Sequence, residues 1–168
     1  MHHIVFVDDT PYNLELAAAY LEVTASSDIN VNCFDQAESA ISACRHTAPD
    51  LIFLDLEMPG KDGFETINEL RTFCHAPIVA MTGHSEASIK SELIAYTFND
   101  YLGKPFTDLA LFNIVSKHIP GLKKQSVEEA AHAGDSIGGA LNIADMARRL
   151  RNNQKLIIRI LDSFQNNN

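Results

Sequence analysis

Five residues of types suited to metal and phosphoryl chemistry stand at the ends of apolar runs. Asp8 and Asp9 follow HIVFV, Asp55 follows LIFL, Thr82 closes PIVAMT and Lys104 closes DYLGK. Each alone has an ordinary explanation: Asp9 as a helix cap, Thr82 as a turn residue, Lys104 as surface charge. An ionised carboxylate at the lip of a dry run is costly unless something compensates it, and five such placements together point to a site. Three clustered carboxylates repel, and at least one has its pKa raised. A hard divalent cation such as Mg2+ removes that conflict through oxygen ligands and can bridge to a phosphoryl oxygen. A carboxylate can also be the nucleophile that becomes an aspartyl phosphate. Asp55 is the best candidate, because its run is the most apolar. Lys104 then supplies a point charge, Thr82 a hydroxyl, and the backbone N–H groups around Glu57, Gly83 and His84 further donors, with the small Gly83 leaving room. No Ser/His triad is spaced for catalysis, and no Gly-rich phosphate loop is present.

The elements that must position these residues alternate along the first 119 residues. Strands are expected at 3–7, 29–34, 51–54, 77–82 and 100–104, and helices at 10–23, 35–46, 64–73, 85–96 and 107–119. Leu14, Ala17, Ala18 and Leu21 share a face of the first helix, and Pro11 suits its first turn. In the second, Asp35 is the expected cap and Ala37, Ala40, Ile41 and Cys44 face inward. The runs at 51–54 and 77–82 have no polar face and read as strands buried on both sides. Such alternation requires a doubly wound parallel sheet with helices on both faces, and ligands of such sheets sit beyond the carboxyl ends of the strands.

Composition narrows the partners. The chain has 168 residues, 46% hydrophobic and 21% charged, with a formal net charge of −9. That balance disfavours nucleic acid, whose phosphates dominate affinity; Arg148, Arg149 and Arg151 read as a solvated helix face. No apolar run approaches the roughly 18 residues of a membrane helix, and the start MHHIVFVDDT lacks the plan of a secretory signal. A cytoplasmic location is expected. Cys33, Cys44 and Cys74 have no metal or disulfide spacing and read as small buried hydrophobes.

The segments VDD (7–9), DLEMPGKDG (55–63), MTG (81–83) and DYLGKPF (100–106) resemble the receiver domain of two-component response regulators, in order and at ordinary intervals, over about residues 3–119. The resemblance implies a flavodoxin-like five-stranded sheet of order 2-1-3-4-5. It implies that Asp55 accepts phosphate from a histidine kinase or a histidine phosphotransfer domain. It further implies that Asp9 and Asp55 bind Mg2+, with the Glu57 main-chain carbonyl and, through water, Asp8. The Lys104–Pro105 bond is expected to be cis. Thr82 is expected to move toward the phosphoryl group while Tyr101 turns inward, switching the 85–119 surface. Such a module catalyses its own phosphorylation and dephosphorylation and is not a stand-alone enzyme. Glu57 and His84, flanking the nucleophile, are expected to set phosphoryl lifetime by shaping the approach of water. One departure stands out: relatives often carry glycine near Thr97, and AYTFND has none, so this helix end is expected to be built differently.

Residues 120–140 lose apolar periodicity and read as a linker. Residues 141–168 regain it, with Met146, Leu150, Leu156, Ile157, Ile160, Leu161 and Phe164 marking apolar faces. About 25 residues enclose no core of their own. This helical extension resembles the opening of a histidine phosphotransfer domain, as found after the receivers of hybrid sensor kinases, and suggests a piece of a longer protein. A homodimer through the 85–119 face or these C-terminal helices is a further expectation. Two other functions compete with the receiver. One is a protein-binding module with regulatory phosphorylation only. The other is a Mg2+-dependent phosphatase with an aspartyl-phosphate intermediate, for which Glu57 would be the second acid.

Overall fold

A computed structural model describes residues 1–24 and 28–122; the expected linker beyond residue 122 and the helical extension at 141–168 lie outside the described residues. Ten elements alternate: β1 (His2–Val7), α1 (Pro11–Thr24), β2 (Ile29–Phe34), α2 (Ala37–His46), β3 (Leu51–Asp55), α3 (Gly63–Leu70), β4 (Ile78–Thr82), α4 (Glu86–Ala95), β5 (Asp100–Gly103) and α5 (Asp108–His118). All strand pairs are parallel, in the order β2-β1-β3-β4-β5. This is the doubly wound architecture the alternation demands.

The period of two along each strand sorts side chains between the two faces. Ile4 and Phe6 of β1, Leu51 and Phe53 of β3, and Val79 and Met81 of β4 join Leu14, Ala17, Leu21, Leu111 and Val115 of α1 and α5 in one core. Phe6 and Phe53 stack there with centroids 4.5 Å apart. Val5, Val7, Ile52, Leu54 and Ile78 face the other way, against Ala40, Ile41 and Cys44 of α2 and Ile67 and Leu70 of α3. Every residue of β3 and β4 is buried, as the unbroken apolar runs require. β2 is an edge strand and only half-buried.

Local signals set several boundaries. Pro11 opens α1, whose inner face includes Leu16 and Ala19 besides Leu14, Ala17 and Leu21, while Ala18 is only half-buried. α2 starts one residue later than an Asp35 cap would place it: Gln36 is the N-cap and makes no side-chain cap bond. α3 begins with a capping box that its Lys-Asp-Gly turn conceals: the Glu65 N–H donates to Asp62 Oδ1 at 2.8 Å and the Asp62 N–H to Glu65 Oε2 at 3.3 Å. Cys44 and Cys74 are buried as expected, but Cys33 is exposed on the edge strand. Among the described residues no helix is long and apolar enough to cross a membrane.

The end of α4 also differs from expectation. Thr97 takes the left-handed turn itself, with φ of 61°, a conformation that strains a β-branched residue. Arg71 surrounds it: its guanidinium donates to Thr97 O at 3.1 Å, Thr97 Oγ1 at 3.3 Å and Asn99 Oδ1 at 2.8 Å. The turn that glycine would adopt freely is here held by a distant cation.

Candidate active site

The parallel register delivers the five chemistry-bearing residues to one sheet edge. Asp55 ends β3 opposite Met81 of β4, so Thr82 stands one residue further along the neighbouring strand. Thr82 pairs in turn with Gly103 of β5, and the Lys104 N–H donates to Thr82 O at 2.8 Å. Asp8 follows β1, and its N–H donates to Phe34 O at 3.1 Å. The Lys104–Pro105 peptide is cis.

Lys104 Nζ lies 2.7 Å from Asp8 Oδ2 and 2.8 Å from Asp55 Oδ2, so one ammonium bridges two buried carboxylates. Oxygens of Asp8, Asp9 and Asp55 lie within 4.8 Å of one another. Burial is the largest influence on Asp55 and pushes its carboxyl above the usual range. The negative Asp8 adds to this, while Lys104 and the Glu57 N–H oppose it. Burial alone would lower Lys104, but the hydrogen bonds and charges of Asp55 and Asp8 outweigh it and raise the ammonium. The pair is therefore a charged bridge whose carboxylate remains under-compensated.

The three carboxylates differ in what they have to spare. Asp8 is fully buried and receives hydrogen bonds from the Thr10 N–H at 2.9 Å and from the Asn13 amide on both oxygens, at 3.1 and 3.0 Å. Asp55 Oδ1 accepts from the Glu57 N–H at 3.1 Å. Asp9 accepts no hydrogen bond among the described residues. An all-oxygen donor set with one free carboxylate, one partly engaged and one saturated fits a hard cation that keeps several waters.

Other expected residues are placed less directly. The hydroxyl of Thr82, 1% exposed, accepts from the His84 N–H at 3.1 Å. The Glu57 and His84 amides thus already serve Asp55 and Thr82. Glu57 and His84 meet each other over the mouth, with Nε2 and Oε1 2.6 Å apart and both side chains more than half exposed. The Glu57 carboxylate is therefore engaged by the His84 ring. Gly83 is not forced by packing, since a Cβ there would meet nothing within 4 Å. The Tyr101 ring packs against the cluster of Leu56, Ala80 and Leu93, and its hydroxyl donates to His84 O at 2.7 Å.

Two contributors escape a reading of residue types alone. Asn13 sits three residues into α1 and reaches Asp8 only through the fold. Gly63 opens α3 directly over the end of β3, where an added Cβ would lie 2.7 Å from Leu56 Cα and closer still to Asp55 O. The glycine in the DG turn was the available signal for Gly63. For Asn13 the signal was a weak helix former early in a helix that starts beside two acids.

Comparison with known proteins agrees with this geometry. The family model described as response regulator receiver domain matches residues 4–116. The signal transduction histidine-protein kinase BarA of Escherichia coli K12 is 33% identical over 121 residues, covering 70% of this chain and 13% of the kinase. The sensor histidine kinase GacS of Pseudomonas protegens is 31% identical over 155 residues, covering 88% of this chain and 16% of the kinase. The chain thus spans a small part of the length of these relatives. Among solved structures, the chemotaxis protein CheY4 of Vibrio cholerae superposes with a TM-score of 0.65 at 22% identity, covering 71% of this chain and 99% of that one, a likeness of fold.

Proposed function

Because the chain belongs to the response regulator receiver family, we propose that Asp55 takes a phosphoryl group from a phosphohistidine and that the α4-β5-α5 surface (residues 85–119) responds. The observation that carries this reading is the Lys104 ammonium bridging buried Asp8 and Asp55 at the carboxyl edge of the sheet. The donor is a histidine kinase or a histidine phosphotransfer domain, the chemistry of a phosphorelay within or beside a hybrid kinase.

The residues divide the work by their chemistry. Asp55 Oδ attacks phosphorus as the bond to the imidazole nitrogen breaks. Lys104 moves from its carboxylate partners toward the charge on the transferred oxygens, and the Thr82 hydroxyl donates to the same group. Asp9, Asp55 and the Glu57 carbonyl would hold Mg2+, with the saturated Asp8 helping through water; when bound, the ion would supply positive charge to offset that of the carboxylates and the incoming phosphoryl group. When Thr82 turns, its bond from His84 is released, and Tyr101, tied to the His84 carbonyl, links that change to α4 and β5. The exposed Glu57–His84 pair controls how water reaches the acyl phosphate.

The test is incubation of the full chain with a small-molecule phosphodonor and Mg2+, followed by intact mass. Addition of one phosphoryl group, absent in Asp55→Asn and without Mg2+, is expected. Rapid multiple turnover of phosphomonoesters without a stable adduct would instead assign a phosphatase, and no labelling despite metal binding a docking module.

A further inference from the structure

We propose that Asn13 is a positioning residue for the metal site: it holds the Asp8 carboxylate in place with an uncharged donor, which leaves Lys104 free to change partners. This rests on the magnesium site proposed above. Asp8 is fully buried, and an ionised carboxylate offers about four acceptor positions. Two of its four short contacts come from the Asn13 amide, one from the Thr10 N–H and one from Lys104.

Lys104 is shared, 2.8 Å from Asp55. A phosphoryl group on Asp55 draws the ammonium toward its own oxygens, and a buried carboxylate that loses its cation is expensive to keep ionised. Of the groups named around Asp8, the Thr10 amide and Asn13 then remain, and Asn13 is the only side chain among them. An asparagine fits this post for two reasons. Its amide satisfies both Asp8 oxygens, which an acceptor-only carboxylate permits in only one orientation of the amide. It also adds no positive charge, so it leaves intact the negative potential that attracts a divalent cation; a lysine or arginine would not. Helix formation gives no reason for the residue, because Asn is a poor choice inside a helix. Its place in the first turn of α1 ties the strand that ends in the acids to the helix that follows.

The experiment is calorimetric titration of Mg2+ into the full chain as wild type, Asn13→Ala, Asp8→Asn and the double variant, with Asn13→Leu as a second, bulkier replacement. Partners that orient a metal's ligands commonly matter by 10- to 100-fold in affinity, so Asn13→Ala and Asn13→Leu should each weaken Mg2+ about 10-fold while remaining folded. In the Asp8→Asn background the same changes should alter affinity by less than about 2-fold, because the group they hold is gone. Equal weakening in both backgrounds overturns the proposal, since it marks a general loosening of α1. Unchanged affinity in Asn13→Ala, with wild type binding normally, overturns it as well. Failure of wild type to bind Mg2+ removes the metal site itself and the proposal with it.

Discussion

The α1/α5 flank buries Leu14, Ala17, Leu21, Leu111 and Val115 against Ile4, Phe6 and Phe53. On the other side of the sheet, α4 buries Leu93 alone and leaves Ile94 69% exposed. Both flanks hang on the same sheet and border the same acidic edge, yet one is packed like a core and the other is pinned at its ends. The N-terminal pin is His84, tied to Thr82 and Tyr101; the C-terminal pin is Thr97, tied to Arg71. A cluster of repelling charges needs a stiff base, and an element that responds to chemistry needs few contacts to remake. The division of packing fits the proposed division of labour, in which one flank holds the carboxylates and the other responds to their chemistry.

Breaking the stiff side should cost most. Phe53→Ala removes half of the stacked Phe6–Phe53 pair and should lower stability by about 3–5 kcal/mol, against about 2 kcal/mol for Leu93→Ala, whose site can collapse toward solvent. Denaturant melts of both variants check the contrast, and equal losses would erase it. Gly63→Ala should come next, at about 2–3 kcal/mol, because its Cβ meets backbone that cannot move without shifting Asp55. The same variant should lose phosphoryl labelling even where it remains folded.

Smaller effects are expected at single groups on each side. Asp55 is raised in the fold, so the folded state holds its proton more tightly than the unfolded chain does. Stability from this group is therefore present at low pH and falls as pH rises from the ordinary aspartate value through the raised one. Asp55→Asn should consequently raise the Tm of the metal-free protein at neutral pH, a gain that disappears in acid. A flat difference across pH would mean the carboxylate is fully compensated. On the loose side, Thr97→Gly should relieve the left-handed strain and stabilise by about 0.5–1 kcal/mol, net of the bond lost to Arg71. Destabilisation instead would show that the Arg71 clamp, not backbone strain, governs that turn.

These contrasts also explain what could be read from residue order. The runs at 51–54 and 77–82 have no polar face, so their burial, and the Asp55 and Thr82 that end them, announce the sheet and its edge without any contact map. Asp8, Asp9, Asp55, Thr82 and Lys104 were legible for that reason. Asn13, Gly63 and Arg71 were not, because each role depends on how the chain turns: Asn13 folds back onto a carboxylate five residues earlier, Gly63 lies against strand backbone, and Arg71 reaches a turn 26 residues away. The Asp62–Glu65 capping box was present in the letters but masked by the turn it overlaps. Thr97 shows the opposite limit: glycine is what its conformation favours, and tertiary hydrogen bonds hold a threonine there all the same.

On the reading proposed above, one oxygen of Asp55 is made reactive toward phosphorus by the groups around it. Borohydride reduction of the phosphodonor-treated chain, followed by peptide sequencing, reads that atom directly, because an acyl phosphate is reduced to an alcohol at the residue that carried it. Homoserine at position 55, and at no other aspartate, is the expected result. Reduction at Asp8 or Asp9, or label recovered on a histidine, would contradict it.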